Sequence, residues 1–245
     1  FETATGTKMF VRQGTQQTPT EAGAILLRQA ERLEVEAIRL ASLSAQQEPV
    51  LSARVRLTTT PIIAQAIIAP ALPALYASAP HIRMQLTCTN QNLSFARWET
   101  DLAVRMSRPT DGSLYVRKLA DLPSAVYERA GPMTADVRWL ALPAVYRDLP
   151  PAKYVYDQLN NEQPYFECDD ANILRQAAAA GLGRAVLGCY DADHDKSLKR
   201  VTDTIYTREA WLLIHPDMRD MPVIRATSDW LIETFAALGD APKPS

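Results

Sequence analysis

Leu26, Leu33 and Leu40 recur every seven residues, and Ala30, Ala37 and Ser44 repeat in step with them. A narrow apolar stripe of this spacing is the seam of a helix that lies against another helix, whereas a helix resting on its own domain shows a wider apolar arc. Arg28, Glu31, Arg32, Glu34, Glu36 and Arg39 keep the other faces wet. The tetrad Thr18-Pro19-Thr20-Glu21 sets the start: Thr18 can cap the orphan amides, Pro19 suits the first helical position, and Glu21 can complete a capping box. No further proline occurs up to Ala45, so at about 1.5 Å per residue the helix would run about 40 Å. The expectation is a connector that also pairs two chains, as a homodimer or homotetramer.

Composition bounds what this rod can carry. The 245 residues, 47% hydrophobic and 22% charged, suit one or two domains with a sizeable core. Twenty-six basic against 28 acidic side chains leave a net charge of -2, so the chain as a whole has no electrostatic footprint for nucleic acid. Any DNA contact needs a local patch. No stretch approaches about eighteen consecutive apolar residues, and Phe1-Glu2-Thr3 does not open a signal peptide. A cytoplasmic protein that does not engage a membrane is expected. Cys88, Cys168 and Cys189 contain no Cys-x-x-Cys pair, which signals neither a disulfide framework nor a zinc site.

Beyond residue 50 strands and helices alternate. Val55 to Thr59 reads as a strand, and Thr60-Pro61 opens a helix to about Ser78 that Pro70 and Pro73 should bend or split. Strands are expected at Ile82 to Thr87, Asp101 to Arg105, Leu114 to Lys118 and Ser124 to Tyr127, with a short helix at Leu93 to Trp98. A second unit starts near Gly131-Pro132, with strands at Val137 to Leu142, Tyr165 to Cys168, Ala185 to Leu187 and Ala210 to Ile214. Its helix at Asp170 to Ala180 is stopped by Gly181, and a final amphipathic helix spans Val223 to Ala237. This order argues for α/β architecture with a largely parallel sheet, and two such lobes leave a cleft for a ligand.

Several stretches, taken in order, resemble the LysR-type transcriptional regulators. Lys8-Met9-Phe10-Val11-Arg12 and Thr18-Pro19-Thr20-Glu21-Ala22-Gly23 are similar to that family's wing passing into its linker helix. Pro70-x-Leu72-Pro73, Ala79-Pro80, Asp101 to Arg105, Ala180-Gly181-Leu182-Gly183, Trp211 to Pro216 and Val223 to Ala226 continue the match. The resemblance implies a two-lobed effector domain of the type 2 periplasmic-binding fold. It divides the chain into a wing remnant (1–17), a linker and dimerisation helix (18–47), lobe I (51–128 plus 216–240) and lobe II (129–215). The family carries its recognition helix ahead of the wing, so this chain is expected to be a fragment. It would touch DNA only through phosphate contacts by Lys8 and Arg12, with DNA a partner of the full-length protein. A small-molecule effector would sit between the lobes and act through the linker.

The residues also support a site physically. Thr58, Thr59 and Thr60 place hydroxyls where a strand ends, and Pro61 opens a helix whose N-terminal amides attract an anion. Arg105 closes a strand where it could pair with a carboxylate; Asn90, Asn92, Asp169 and Asn172 would complete the opposing walls. No catalytic constellation is seen among His81, His194 and His215, no cofactor is implied, and Asp191, Asp193, His194 and Asp195 read as a solvated loop rather than a metal site. The rival reading is a solute-binding protein feeding a transporter, which has no use for a wing and a pairing rod.

Overall fold

A computed structural model describes residues 2, 6–13, 16–27, 29–30, 33, 53–90, 100–109, 114–132 and 138–239. Ala37, Leu40, Asn92 and the helix expected at Leu93 to Trp98 lie outside them.

At the N-terminus, β1 (Phe10–Gln13) and β2 (Gln16–Pro19) form an antiparallel hairpin in which Thr18 faces Val11 and Pro19 faces Phe10. This corrects the expected helix start. Because the hairpin takes Thr18 and Pro19, the cap falls to Thr20, whose hydroxyl accepts from the Gly23 N–H at 3.0 Å and donates to the Lys8 carbonyl at 2.8 Å. Residues 21–27 are helical, with Leu26 half-buried; Ala30 and Leu33 are exposed.

Among the described residues the rest is built on a nine-stranded sheet in the order β4-β3-β5-β11-β6-β9-β7-β8, with β10 also on β6. Its strands are β3 (Ala53–Thr59), β4 (Ile82–Cys88), β5 (Leu102–Arg105), β6 (Tyr115–Arg129), β7 (Trp139–Ala141), β8 (Phe166–Glu167), β9 (Arg184–Gly188), β10 (Leu198–Arg200) and β11 (Tyr206–Ile214). Pairing is parallel within the groups β4-β3-β5 and β9-β7-β8. It is antiparallel wherever β6 or β11 takes part. The sheet is therefore mixed and not largely parallel, because two long strands pass from one lobe to the other. The two strands expected at Leu114 to Lys118 and Ser124 to Tyr127 are one, β6, carried through Pro123 by its pairing with β11.

The first helix, α1 (Pro61–Ser78), is not split by Pro70 and Pro73. A π-helical segment, Ala64–Ile68, widens it just ahead of the prolines, with the Ala69 N–H reaching the Ala64 carbonyl. Its mean hydropathy of 1.4 makes α1 long and apolar enough, by length and composition alone, to cross a membrane. Ile63, Ile67, Ile68 and Leu75 are instead buried in a core with Val55 and Leu57 of β3, Leu212 of β11, and Trp230 and Phe235 of the last helix, α5 (Pro222–Gly239). The Trp230 indole N–H donates to the Ala71 carbonyl at 3.2 Å and pins α5 onto α1. This is lobe I.

Lobe II has its own core, in which Tyr127, Leu140, Leu174, Ala185 and Leu187 meet, and a smaller cluster of Val126, Ala141, Val155 and Val186. Its helices are α2 (Pro150–Gln158), α3 (Ala171–Ala179) and the short α4 (Cys189–Ala192). Asp170 caps α3 by accepting the Asn172 N–H at 2.8 Å, and Gly181 ends that turn at φ +88°, where a β-carbon would be strained.

Candidate functional site

Between the two cores lies a cavity of about 470 Å³. Lobe I supplies Thr60, Pro61 and Ile62 at the start of α1, Asn90 after β4, and Met106 and Ser107 after β5. Lobe II supplies Leu140, Leu142, Leu149, Val155 and Leu174, together with Asp148, Asp169, Asp170, Tyr190 and Asp191. The crossing strands add Ser124, Tyr206 and Arg208. Most of the wall is apolar, and polar groups come from both lobes and from the crossing strands, a mixture that suits a small-molecule site.

Arg208 is the polar centre. Its Nε and Nη2 donate to the Met106 carbonyl at 3.2 and 3.0 Å, and no carboxylate among the described residues pairs with it. Burial holds its guanidinium below the ordinary arginine value, with Tyr206 and Tyr190 acting in the opposite direction. Burial likewise pushes the Tyr190 and Tyr206 phenols up. A β-carbon on Gly188 would fall 2.3 Å from the Tyr190 ring, so the glycine lets that ring lie flat against the end of β9.

The sequence-derived candidates divide. Thr60, Pro61, Asn90 and Asp169 line the cavity, and the Asn90 side-chain amide donates to the Asp169 carbonyl at 3.3 Å, a link from lobe I to lobe II. The Thr60 hydroxyl, at the N-cap of α1, is buried and makes no hydrogen bond. Thr58, Thr59, Arg105 and Asn172 do not line the cavity. Thr58 is buried, donates to the Thr87 carbonyl and accepts from Arg105 Nη2, both at 3.2 Å, which ties the end of β5 to β3.

Arg208, Tyr206, Tyr190 and Asp191 escaped the sequence reading. A signal existed: residues 206, 208, 210, 212 and 214 share one face of β11, and Ala210, Leu212 and Ile214 are core. An arginine on that buried face marks a site, but a strand begun at Ala210 leaves it out. The stretch read as a solvated loop is also corrected. Asp191 and Asp195 flank Arg175, and Asp193 accepts a hydrogen bond from the buried Tyr127 phenol, because Cys189 and Ala192 anchor α4 in the lobe II core.

The family profile of the LysR substrate binding domain matches residues 50–236. The chain belongs to the LysR family of transcriptional regulators. Along its length this LysR-type chain is similar to the Mau operon transcriptional activator of Paracoccus denitrificans, 29% identical over 248 residues that cover 98% of this chain and 86% of that protein. In structure it is similar to the CrgA regulatory domain of Neisseria meningitidis (TM-score 0.64, 18% identity, 75% of this chain and 99% of that one). It is also similar to a full-length OxyR variant of Pseudomonas aeruginosa (TM-score 0.63, 17% identity, 96% and 84%). The lobes and cleft are therefore those of a LysR effector-binding domain of the periplasmic-binding type.

Proposed function

We propose that this chain is the effector-sensing and oligomerising part of its regulator, and that it binds a small metabolite with an anionic group between the lobes. The observation that carries the reading is Arg208, a desolvated guanidinium in the cleft wall with no carboxylate partner among the described residues. A ligand carboxylate there gains charge-assisted hydrogen bonds in a partly dry setting. The Thr60 hydroxyl, buried with no hydrogen-bond partner among the described residues, and the α1 N-terminus line the same cavity. Pro61, Asn90 and Asp169 complete the contacts of the same reading.

The effector acts by favouring one arrangement of the lobes or protomers over another, since equal affinity for both would shift nothing. The helix that begins at Glu21 relays the difference to DNA-binding heads, with Lys8 and Arg12 of the hairpin touching phosphates. The protein works as a homo-oligomer in the cytoplasm and carries out no catalysis.

The test is a thermal-shift screen of small carboxylates, repeated with Arg208→Ala and Thr60→Ala. A ligand at about 100 times its dissociation constant stabilises the chain by about 2.7 kcal/mol, and that gain should vanish in Arg208→Ala. A hit that survives in Arg208→Ala places the ligand elsewhere and sinks the reading.

A further inference from the structure

Two partly buried charges of opposite sign line the cavity without pairing with each other. Arg208 uses Nε and one Nη2 hydrogen on the Met106 carbonyl, and its other donors meet no acceptor among the described residues. Asp191, with a side chain only 19% exposed, lies 3.1 Å from Arg175 Nε. That N–H is not aligned for a hydrogen bond, and the same guanidinium is bonded through Nη1 to Asp195. One cation between two carboxylates leaves a negative charge uncompensated at the Asp191 side of the cleft.

Tyr190 stands in the field of both poles. Its phenol is pushed up first by burial and further by Asp191, and it is drawn back by Arg208. Asp191 follows Tyr190 directly in the chain, and both line the same cavity as Arg208. A ligand with a carboxylate alone would satisfy Arg208 but would bring a second negative charge towards Asp191, with Asp148, Asp169 and Asp170 also in the wall. A ligand carrying both charges gives Arg208 a carboxylate and gives Asp191, which shares Arg175 with Asp195, a cation of its own. Ile62, Leu140, Leu142, Leu149, Val155 and Leu174 leave apolar surface for the remainder of the molecule.

We propose that the cleft takes a zwitterion with an apolar body, of amino-acid to dipeptide size, whose carboxylate meets Arg208 and whose ammonium meets Asp191. The proposal rests on the effector-site reading above and names the class of molecule that site accepts.

Calorimetric titration of the full chain decides it. The probes are leucine, phenylalanine and leucyl-leucine, each amino acid beside its deaminated analogue (4-methylpentanoate, 3-phenylpropanoate) and its decarboxylated one (3-methylbutylamine, 2-phenylethylamine). At least one zwitterion should bind about tenfold more tightly than both of its truncated analogues. Asp191→Asn should remove that advantage by weakening the zwitterion while the carboxylate analogue binds at least as tightly as before, a split that general misfolding would not produce. A carboxylate analogue that matches its parent zwitterion, with binding abolished in Arg208→Ala, overturns the zwitterion and leaves the effector site standing. An amine that matches its parent overturns it equally. Failure of every probe to bind overturns both.

Discussion

Lobe I buries its apolar residues in one cluster spanning β3 to β5, α1 and α5, while lobe II divides a smaller set between two. The cleft reverses that ranking, since lobe II supplies most of its wall. Lobe I thus holds one continuous core, and lobe II devotes more of its surface to the cavity. Substitutions in lobe I should accordingly register as stability, and those in the lobe II wall as binding.

The strongest challenge to the comparison is a pair of core truncations. Phe235→Ala in lobe I should cost about 3–5 kcal/mol, and Leu140→Ala in lobe II about 2 kcal/mol, because Leu140 already borders open space that can absorb part of the void. Urea denaturation at neutral pH measures both. Phe235→Ala removes more side chain than Leu140→Ala, so a loss at Leu140 as large as that at Phe235 would mean that lobe II is the better packed of the two.

Next come the two buried carboxylates. Asp101 of lobe I accepts the Arg56 backbone N–H at 2.7 Å and Arg56 Nη2 at 2.8 Å, so Asp101→Ala removes a buried charge-assisted network at about 3 kcal/mol. Glu128 of lobe II holds Arg184 and Lys199, both partly exposed, and Glu128→Gln should cost a smaller amount, about 1–2 kcal/mol, the worth of a charged hydrogen bond. Burial acts to raise the Glu128 pKa, but Lys199 and Arg184 outweigh it and hold the carboxyl below its ordinary range. A depressed carboxylate contributes its stability above the unfolded pKa and loses it as pH falls through the folded one. The gap between wild type and Glu128→Gln should therefore hold from about pH 7 to about pH 5 and close in more acidic solution. A gap that persists at about pH 3 would contradict the assignment.

The smallest contrast lies at the helix starts. Asp170 caps α3 and Asp170→Ala should cost about 1 kcal/mol, whereas Thr60 makes no cap bond on α1 and Thr60→Ala should change stability by less than about 0.5 kcal/mol. Thermal melts without ligand distinguish them. A full capping loss at Thr60 would assign that hydroxyl to the helix and not to the cleft.

Much of the fold was legible because period-two alternation and prolines mark local structure. β3, β4, β5, β9, α1, α3 and α5 follow the residues that announce them. What escaped was set by long-range pairing. Pro123 interrupts the apolar pattern of β6, and only the partner strand β11 reveals that it continues. Thr18 reads as the cap in sequence, and only the hairpin that engages it shifts the cap to Thr20. The site was half legible for the same reason. Thr60, Pro61, Asn90 and Asp169 sit at element ends that local signals locate, whereas Arg208 becomes visible only once β11 extends beyond Ala210.

The antiparallel ribbon of β6 and β11 has a mechanical consequence. Sliding one lobe along the other would break a ladder of main-chain bonds, so the ribbon behaves as a leaf spring, stiff to shear and compliant to twist. The ladder is interrupted between Ala210 and Trp211, where the register shifts and an irregular step concentrates bending. Arg208 is fixed two residues from that step. A force applied at its guanidinium has a short lever arm about the weakest point of the spring, and a small displacement there corresponds to a larger displacement at the far edges, β4 and β8.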